Sequence, residues 1–385
     1  MLPVSPAIVT FVDRFHHYVH RHFVIALIGC YLLAGLFPAP GDWVLSRSDE
    51  IAGANGTFQR VLLAVALFIS AWQLGRRTFS SSAHEGATPS ECRRSFPRWQ
   101  RPALLRWGGL LATILGLRLF WLGIAAVVLV IAGGHAMGLG LLLVMGMPAA
   151  LSSVPWTDKS RGNTGLALGL ILVTLLTAPL FLAISLAVVP GLAPQVADQF
   201  GDSMTSSWLV APLTQLLCFS PPVLIGLLVG SWLPGRWTEA LSPLLRPIPT
   251  LVILTLNYGY AARVIPPLLH DTPWLTILVA ILGVATAVMA VMCVGNQIAI
   301  RFCRRRSDRV ALTYSSGMYN TGMAMVLAAT WLPGQEQILI PIFLFTLGQH
   351  LAAAIVERSM EPIEIAQSSC PRTIATRPVS INEPR

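Results

Sequence analysis

The sequence predicts an all-α polytopic membrane protein with ten transmembrane helices. Of its 385 residues, 54% are hydrophobic and only 11% are charged, whereas a soluble domain carries about 25% charged residues. The apolar residues form runs long enough to cross a bilayer as helices, which takes about 20 residues each. The predicted spans are 23–38, 59–75, 104–133, 137–156, 163–189, 207–233, 248–265, 274–299, 311–331 and 337–356.

The basic residues predict how these spans are oriented. The formal net charge is +9, and the basic residues cluster before the first span and then in alternate loops. The intervening segments, such as the loop predicted at 40–50, are poor in positive charge. Because cytoplasmic loops carry the excess of Lys and Arg, both termini are expected in the cytoplasm and the protein in the inner (plasma) membrane. The predicted partners of these charges are anionic lipid headgroups, and nucleic acid is not a predicted partner.

The predicted membrane region is accompanied by two polar segments. A single transmembrane domain is predicted over 1–357, with a Ser-, Pro- and Arg-rich cytoplasmic loop at 76–102. Residues 358–385 have the composition of a disordered cytoplasmic tail. The six Cys residues show no metal-ligand spacing and no plausible pairing on the outer side, so neither a zinc site nor a disulfide is predicted. No cofactor is predicted, and sodium is considered below.

Two spans carry residues that are unusual at membrane depth. The fourth contains GMPAALSSVP at 146–155, and the ninth contains GMYNTGMAM at 317–325. Equivalent helix breaks in two five-helix sets indicate an inverted repeat, here about 23–189 and 207–356. We therefore expect helices 4 and 9 to be broken near 147–154 and 316–320 and to cross near the midplane. Ser220-Pro221-Pro222 also predicts a break in the sixth span.

Residues 137–180 and 303–324 resemble the bile acid:sodium symporter superfamily, in particular its bacterial members. The similar features are the RGN turn at 161–163, a late Pro in the fifth span and the GMYN segment of the ninth. This resemblance implies a secondary transporter with a panel domain (helices 1, 2, 6 and 7) and a core domain (helices 3–5 and 8–10). It also implies crossing of the broken helices 4 and 9.

At the sodium sites the chain diverges from the family. The resemblance implies oxygen ligands at positions that this chain fills with Ser153, Val154, Ala167, Ile171, Ser315 and Tyr319, while the following Asn is retained as Asn320. No Asp or Glu lies within the interior of a predicted span, although a hard cation commonly takes a carboxylate ligand. The candidate ion ligands that remain are Ser153, Ser315 and Met318. We expect facilitated or proton-linked transport rather than sodium coupling, with His350 as the candidate proton carrier.

The candidate substrate-binding residues come from the broken spans and their neighbours. They are Ser153, Thr157, Tyr319, Asn320, Gln349, His350 and Arg118. Asn320 either lines a cavity or joins helices by hydrogen bonds. Arg118 either faces the cavity, where it favours an anion, or extends to the membrane surface. Gln349 and His350 either contact substrate or are hydrogen-bonded between helices.

The predicted function is secondary transport of a small organic anion. The chain lacks the H-E-x-x-H and G-x-S-x-G motifs and a pair of intramembrane Asp residues, so an enzyme is not predicted. A membrane receptor or structural protein that has the same fold but does not transport is the alternative. The sequence leaves the substrate and the oligomeric state open.

Overall fold

A computed structural model describes residues 10–12, 14–15, 18–19, 22–51, 57–84, 101–131, 136–192, 210–233, 241–271, 273–332 and 336–360. These residues are almost entirely helical. The first half contains α1 Phe23–Leu36, α2 Pro38–Ile51, α3 Thr57–His84, α4 Arg101–Ile131, α5 Ala136–Gly146, α6 Ser153–Lys159 and α7 Thr164–Leu192. The second contains α8 Val210–Trp232, α9 Pro247–Asp271, α10 Trp274–Phe302, α11 Arg306–Gly317, α12 Thr321–Trp331, a 3-10 turn Glu336–Ile338 and α13 Leu339–Met360.

The described helices establish a multi-pass membrane protein. Six are long and apolar enough to cross a bilayer, or seven if the bent pair α1 and α2 is one span. The predicted first, fourth, sixth and ninth spans are not among the six, because they are bent, broken or apolar over a shorter length. The total of ten spans stays a prediction. Helix α3 continues beyond the start predicted for the 76–102 loop, of which 85–100 lie outside the described residues. In the predicted tail, 361–385 also lie outside them.

The loop prediction for 40–50 is wrong, because these residues belong to α2. The chain bends by 94° between α1 and α2, and Pro38 suits the first turn of a helix because its missing N–H is not needed there. Helix α2 then packs on α9. Asp42 forms an ion pair with Arg263 at 2.9 Å, and the Tyr258 hydroxyl donates to the Phe37 carbonyl at 2.7 Å.

The predicted break at Ser220-Pro221-Pro222 is also wrong, since α8 is one helix with both prolines inside it. Each proline removes one backbone hydrogen bond and tends to kink a helix. Packing against α3 compensates for this loss. A Cβ on Gly226 would lie 2.4 Å from the Phe68 carbonyl oxygen, so the two backbones approach as closely as small residues allow.

The helices pack in two groups. Helices α1, α2, α3, α8 and α9 contact one another extensively, and α9 packs along α1, α2 and α3. In the other group, α4 and α7 pack on α5, while α10 and α13 flank α11 and α12. The second group contains both interrupted helices. Its buried side chains therefore surround the point where the two interruptions meet.

Candidate functional site at the helix crossing

Two helix interruptions form the centre of the site. Helix α5 ends at Gly146 and α6 begins at Ser153, while α11 ends at Gly317 and α12 begins at Thr321. Both lie within the segments where the sequence predicted breaks, so these breaks are confirmed. Pro148 contributes to the first, because it has no N–H to continue the helix. Both breaks are buried, so their backbone groups require partners inside the protein.

The two breaks supply these partners to each other. Ala149 and Tyr319 form an isolated antiparallel bridge. The Ala150 N–H donates to the Met318 carbonyl at 3.0 Å, and the Asn320 N–H donates to the Pro148 carbonyl at 2.9 Å. The crossing is thus a short two-stranded contact between segments from opposite halves of the chain.

Side chains from two further helices complete the bridge. The Ala149 N–H donates to the Thr174 hydroxyl of α7 at 3.0 Å. The Tyr319 N–H donates to the side-chain amide oxygen (Oε1) of Gln349 in α13 at 2.9 Å. Gln349 was predicted from sequence and lies at the crossing. Thr174 was missed, although a hydroxyl in the apolar helix that follows the first break is the feature that would have indicated it. The backbone N–H of each bridge residue is therefore hydrogen-bonded to a side chain of a neighbouring helix.

Arg118 reaches this bridge from the middle of α4. Its side chain is 2% exposed, and its Nη1 donates to the Met147 carbonyl directly after α5. Its guanidinium carbon lies 4.7 Å from the centroid of the Tyr319 ring. The alternative that Arg118 extends to the membrane surface is wrong, since the side chain lies against both breaks. The Arg118 side chain therefore contacts a helix break from each half of the chain.

Comparison with known proteins relates part of the chain to a family. Residues 99–265 match the model of the sodium bile acid symporter family. Over these residues the chain is similar to this symporter family. An uncharacterised protein of Bacillus subtilis (strain 168), YbaS, is 25% identical over 230 residues, which are 59% of this chain and 69% of that protein. Within the symporter family match lie α4 to α8, and hence Arg118 and the first break.

Several buried polar atoms at the crossing have no hydrogen-bond partner within the described residues. They are the Nε and Nη2 atoms of Arg118 and the hydroxyls of Ser153, Ser315 and Tyr319. A buried polar group without a partner costs about 1–3 kcal/mol. All four residues were candidate binding residues in the sequence.

The remaining predicted residues are bonded within the protein. The Asn320 side chain caps α12 by accepting from the Met323 N–H at 3.1 Å, and the Thr157 hydroxyl donates to the Ser153 carbonyl at 2.8 Å. The Met318 carbonyl is used by the bridge. These contacts shape the crossing.

His350 lies in a different environment from the bridge. Its Nδ1 accepts from the Trp156 indole N–H at 3.4 Å, and its ring lies edge-on to Phe23 with centroids 4.8 Å apart. The imidazole therefore contacts α6 and α1 at the boundary between the two helix groups. Its role in proton transfer stays a prediction.

At one end of the bundle, the RGN turn joins the two halves a second time. The Asn163 side chain accepts from the Leu166 N–H at 3.0 Å at the start of α7. Its amide nitrogen donates to an Asp308 carboxylate oxygen of α11 at 2.8 Å. Nearby, burial, followed by the negative charge of Asp308, raises the pKa of the Cys303 thiol to about 11. Polar contacts thus fix both the crossing and this end of the broken helices.

Proposed function

We propose that this protein is a secondary transporter of a small organic anion, with its substrate site at the helix crossing. The observation that carries the proposal is a buried arginine with unused donors at the meeting point of two broken helices. Broken helices at membrane depth are tolerated where they line a cavity or are buried in protein, and in transporters they mark the substrate site. The similarity of residues 99–265 to a symporter family supports the transporter class.

The packing supports an architecture of ten spans in two inverted repeats. The group α1, α2, α3, α8 and α9 corresponds to the panel domain, and α4–α7 with α10–α13 correspond to the core domain. The bridge relates the halves in antiparallel register. Ser153 lies four residues after Ala149, and Ser315 lies four residues before Tyr319. Movement of the core against the panel would expose the crossing alternately to the two sides of the membrane.

The unpartnered atoms define the class of substrate. Arg118 supplies a charged N–H pair, which suits a carboxylate or another oxyanion. Hydroxyls of Ser153, Ser315 and Tyr319 supply further donors. Thr157, Asn320 and Gln349 shape the site around them, and His350 lies beside Trp156 of α6. These residues together favour a small anion over a cation or a neutral apolar ligand.

The proposal for the coupling ion depends on which oxygen atoms remain available as cation ligands. The Met147 and Met318 carbonyls are engaged by Arg118 and Ala150. The candidate sodium ligands then reduce to the hydroxyls of Ser153 and Ser315, without a carboxylate, which is a weak set for a hard cation. Facilitated or proton-linked transport, with His350 as the titrating group, fits these contacts better than sodium symport.

Flux into proteoliposomes tests the proposal. We expect saturable uptake of at least one anion from a panel of mono- and dicarboxylates by the wild type. Asn320→Ala should lower it because α12 loses its cap, while Leu282→Ala, on an exposed face of α10, should leave it unchanged. Saturable binding of an anion without any flux would favour the alternative, a receptor on the same fold. Unchanged specific uptake by Asn320→Ala would show that Asn320 only joins helices.

The orientation has its own test. Both termini are proposed to lie in the cytoplasm because Arg304, Arg305 and the RGN turn lie near the α10–α11 junction, where the Asn163–Asp308 contact joins them. Reporter fusions at residues 1 and 385 should both be active only in the cytoplasm of a bacterial host. A periplasmic report from either end would contradict this topology.

A further inference from the structure

The charge of Arg118 is compensated by a backbone carbonyl and an aromatic ring. The side chain is buried within the span Gly108–Ile131. Within the described residues no carboxylate pairs with it. A buried charge is costly unless it meets an opposite charge or well-placed dipoles. The guanidinium must therefore be held by groups other than acids.

Two such groups are in place. Helix α5 ends next to Met147, and the carbonyl end of a helix carries a partial negative charge of about half an elementary charge. Nη1 of Arg118 donates to the Met147 carbonyl there. The face of the Tyr319 ring, which is also electron-rich, lies 4.7 Å from the guanidinium carbon. The cation thus contacts a negative helix end from one half and an aromatic face from the other.

Broken helices in secondary transporters commonly use this kind of position for a soluble cation. Unwound carbonyls and the carbonyl ends of half-helices coordinate a sodium ion or a proton carrier. In this chain the corresponding carbonyl already receives an N–H from a side chain covalently attached to α4. A second cation at that carbonyl would face the charge of Arg118 at close range and would be repelled.

We propose that Arg118 is a tethered cation that replaces a soluble coupling cation at the helix crossing. It holds the two broken helices together and offers its Nε and Nη2 atoms to an anion, so substrate binding needs no sodium ion. The effect on transport rests on the proposed function, whereas the cation site itself does not. Its test therefore uses stability of the folded protein in addition to uptake.

The experiment is a cation titration of thermal unfolding in detergent, at constant ionic strength made up with choline chloride. The wild type, Arg118→Ala, Arg118→Gln and the exposed control Arg301→Ala are each titrated with sodium and, in the low millimolar range, with guanidinium. We expect no saturable response of the wild type or of Arg301→Ala. Arg118→Ala should melt lower and recover in a saturable manner, by about 2 °C or more, with guanidinium. Arg118→Gln, whose side chain fills the space, should recover less.

Two results would overturn the proposal. One is a saturable rise in the melting temperature of the wild type with sodium, since this shows a separate cation site. The other is a response of Arg118→Ala to guanidinium no larger than that of Arg301→Ala. If neither Arg118 variant folds, the sodium titration of the wild type still decides, because saturable stabilisation contradicts the proposal and its absence supports it. Guanidinium recovery without flux of any anion would retain the cation site and reject the transport function.

Discussion

Gly230 of α8 lies so close to Trp72 of α3 that a Cβ on the glycine would be 2.2 Å from the tryptophan carbonyl oxygen. One turn earlier, Gly226 makes the same kind of approach to the Phe68 carbonyl. The two glycines form a Gly-x-x-x-Gly pair, which allows helices in membranes to pack with their backbones in contact. This contact lies in the same helix as Pro221 and Pro222, four and eight residues beyond the second proline.

Gly230→Ala should therefore destabilise the protein. The added methyl group meets backbone, which cannot move aside as a flexible side chain can, and we expect a loss of about 1–3 kcal/mol. Thermal unfolding in detergent measures this. The matched control is Gly283→Ala in α10, where a Cβ would meet nothing within 4 Å. Equal melting temperatures for the two variants would show that the α3–α8 contact is looser than described.

The ring and the hydroxyl of Tyr319 lie in different environments, so their contributions can be tested separately. Its ring faces Arg118, while its hydroxyl has no partner within the described residues. Tyr319→Phe keeps the ring, so the melting temperature should change little. Tyr319→Leu removes the cation–π contact, which in a desolvated site contributes about 2 kcal/mol. If Tyr319→Phe is as unstable as Tyr319→Leu, the hydroxyl rather than the ring carries the stability.

A decrease in anion uptake by Tyr319→Phe, at unchanged stability, would assign the hydroxyl to substrate. This readout is independent of the previous one, because a structural role of the ring does not alter it. Unchanged uptake would remove Tyr319 from the proposed substrate contacts.

The Asn163–Asp308 contact allows an exchange of the two side chains. Asn163→Asp keeps the oxygen that caps α7 but places two carboxylates together, so it should lose about 1–2 kcal/mol. In the double variant Asn163→Asp/Asp308→Asn, the new amide can donate to the new carboxylate. A double-mutant cycle measured by thermal unfolding should give a favourable coupling of at least about 0.5 kcal/mol. Additive losses would show that the two side chains do not interact.

The raised pKa of the Cys303 thiol predicts how its alkylation rate depends on pH. Burial, with the charge of Asp308, raises the pKa of this thiol to about 11 from the ordinary 9.0. Because the thiolate is the reactive form, the alkylation rate in a variant whose other cysteines are replaced should rise about ninefold from pH 9 to pH 10. A thiol of ordinary pKa would rise less than about twofold over that interval. Asp308→Asn should bring the rise forward to lower pH, and a plateau already at pH 9 would contradict the prediction.

The sequence predicted the breaks because their composition is local. A run with Gly, Pro and Ser or Asn inside an apolar segment weakens the helix wherever it packs. The contacts across the crossing depend on chain segments far apart, and composition does not reveal them. Arg118 is the clearest case, because its partner is a backbone carbonyl, and hydropathy does not indicate which way a helix is rotated.

The wrong predictions at α2 and α8 have the same origin. Charged residues in 40–50 indicated a loop, but Asp42 pairs with Arg263 of α9, and Leu45 is buried. Prolines at 221 and 222 indicated a break, but the packing on α3 retains the helix. In both segments tertiary contacts outweigh a correct local preference. Thr174 escaped notice because its acceptor role depends on the position of Ala149.

The bridge between Ala149 and Tyr319 also sets an order of events during biosynthesis. The first break emerges from the ribosome 170 residues before its partner, which at 5–20 residues per second is a delay of about 10–30 s. During that interval the freed carbonyls and N–H groups of 147–152 lack the hydrogen bonds that the later segment provides. Until residue 320 arrives, these backbone groups need other hydrogen-bond partners, such as water. A chain truncated before residue 318 lacks the partners of the Ala150 N–H and the Pro148 carbonyl.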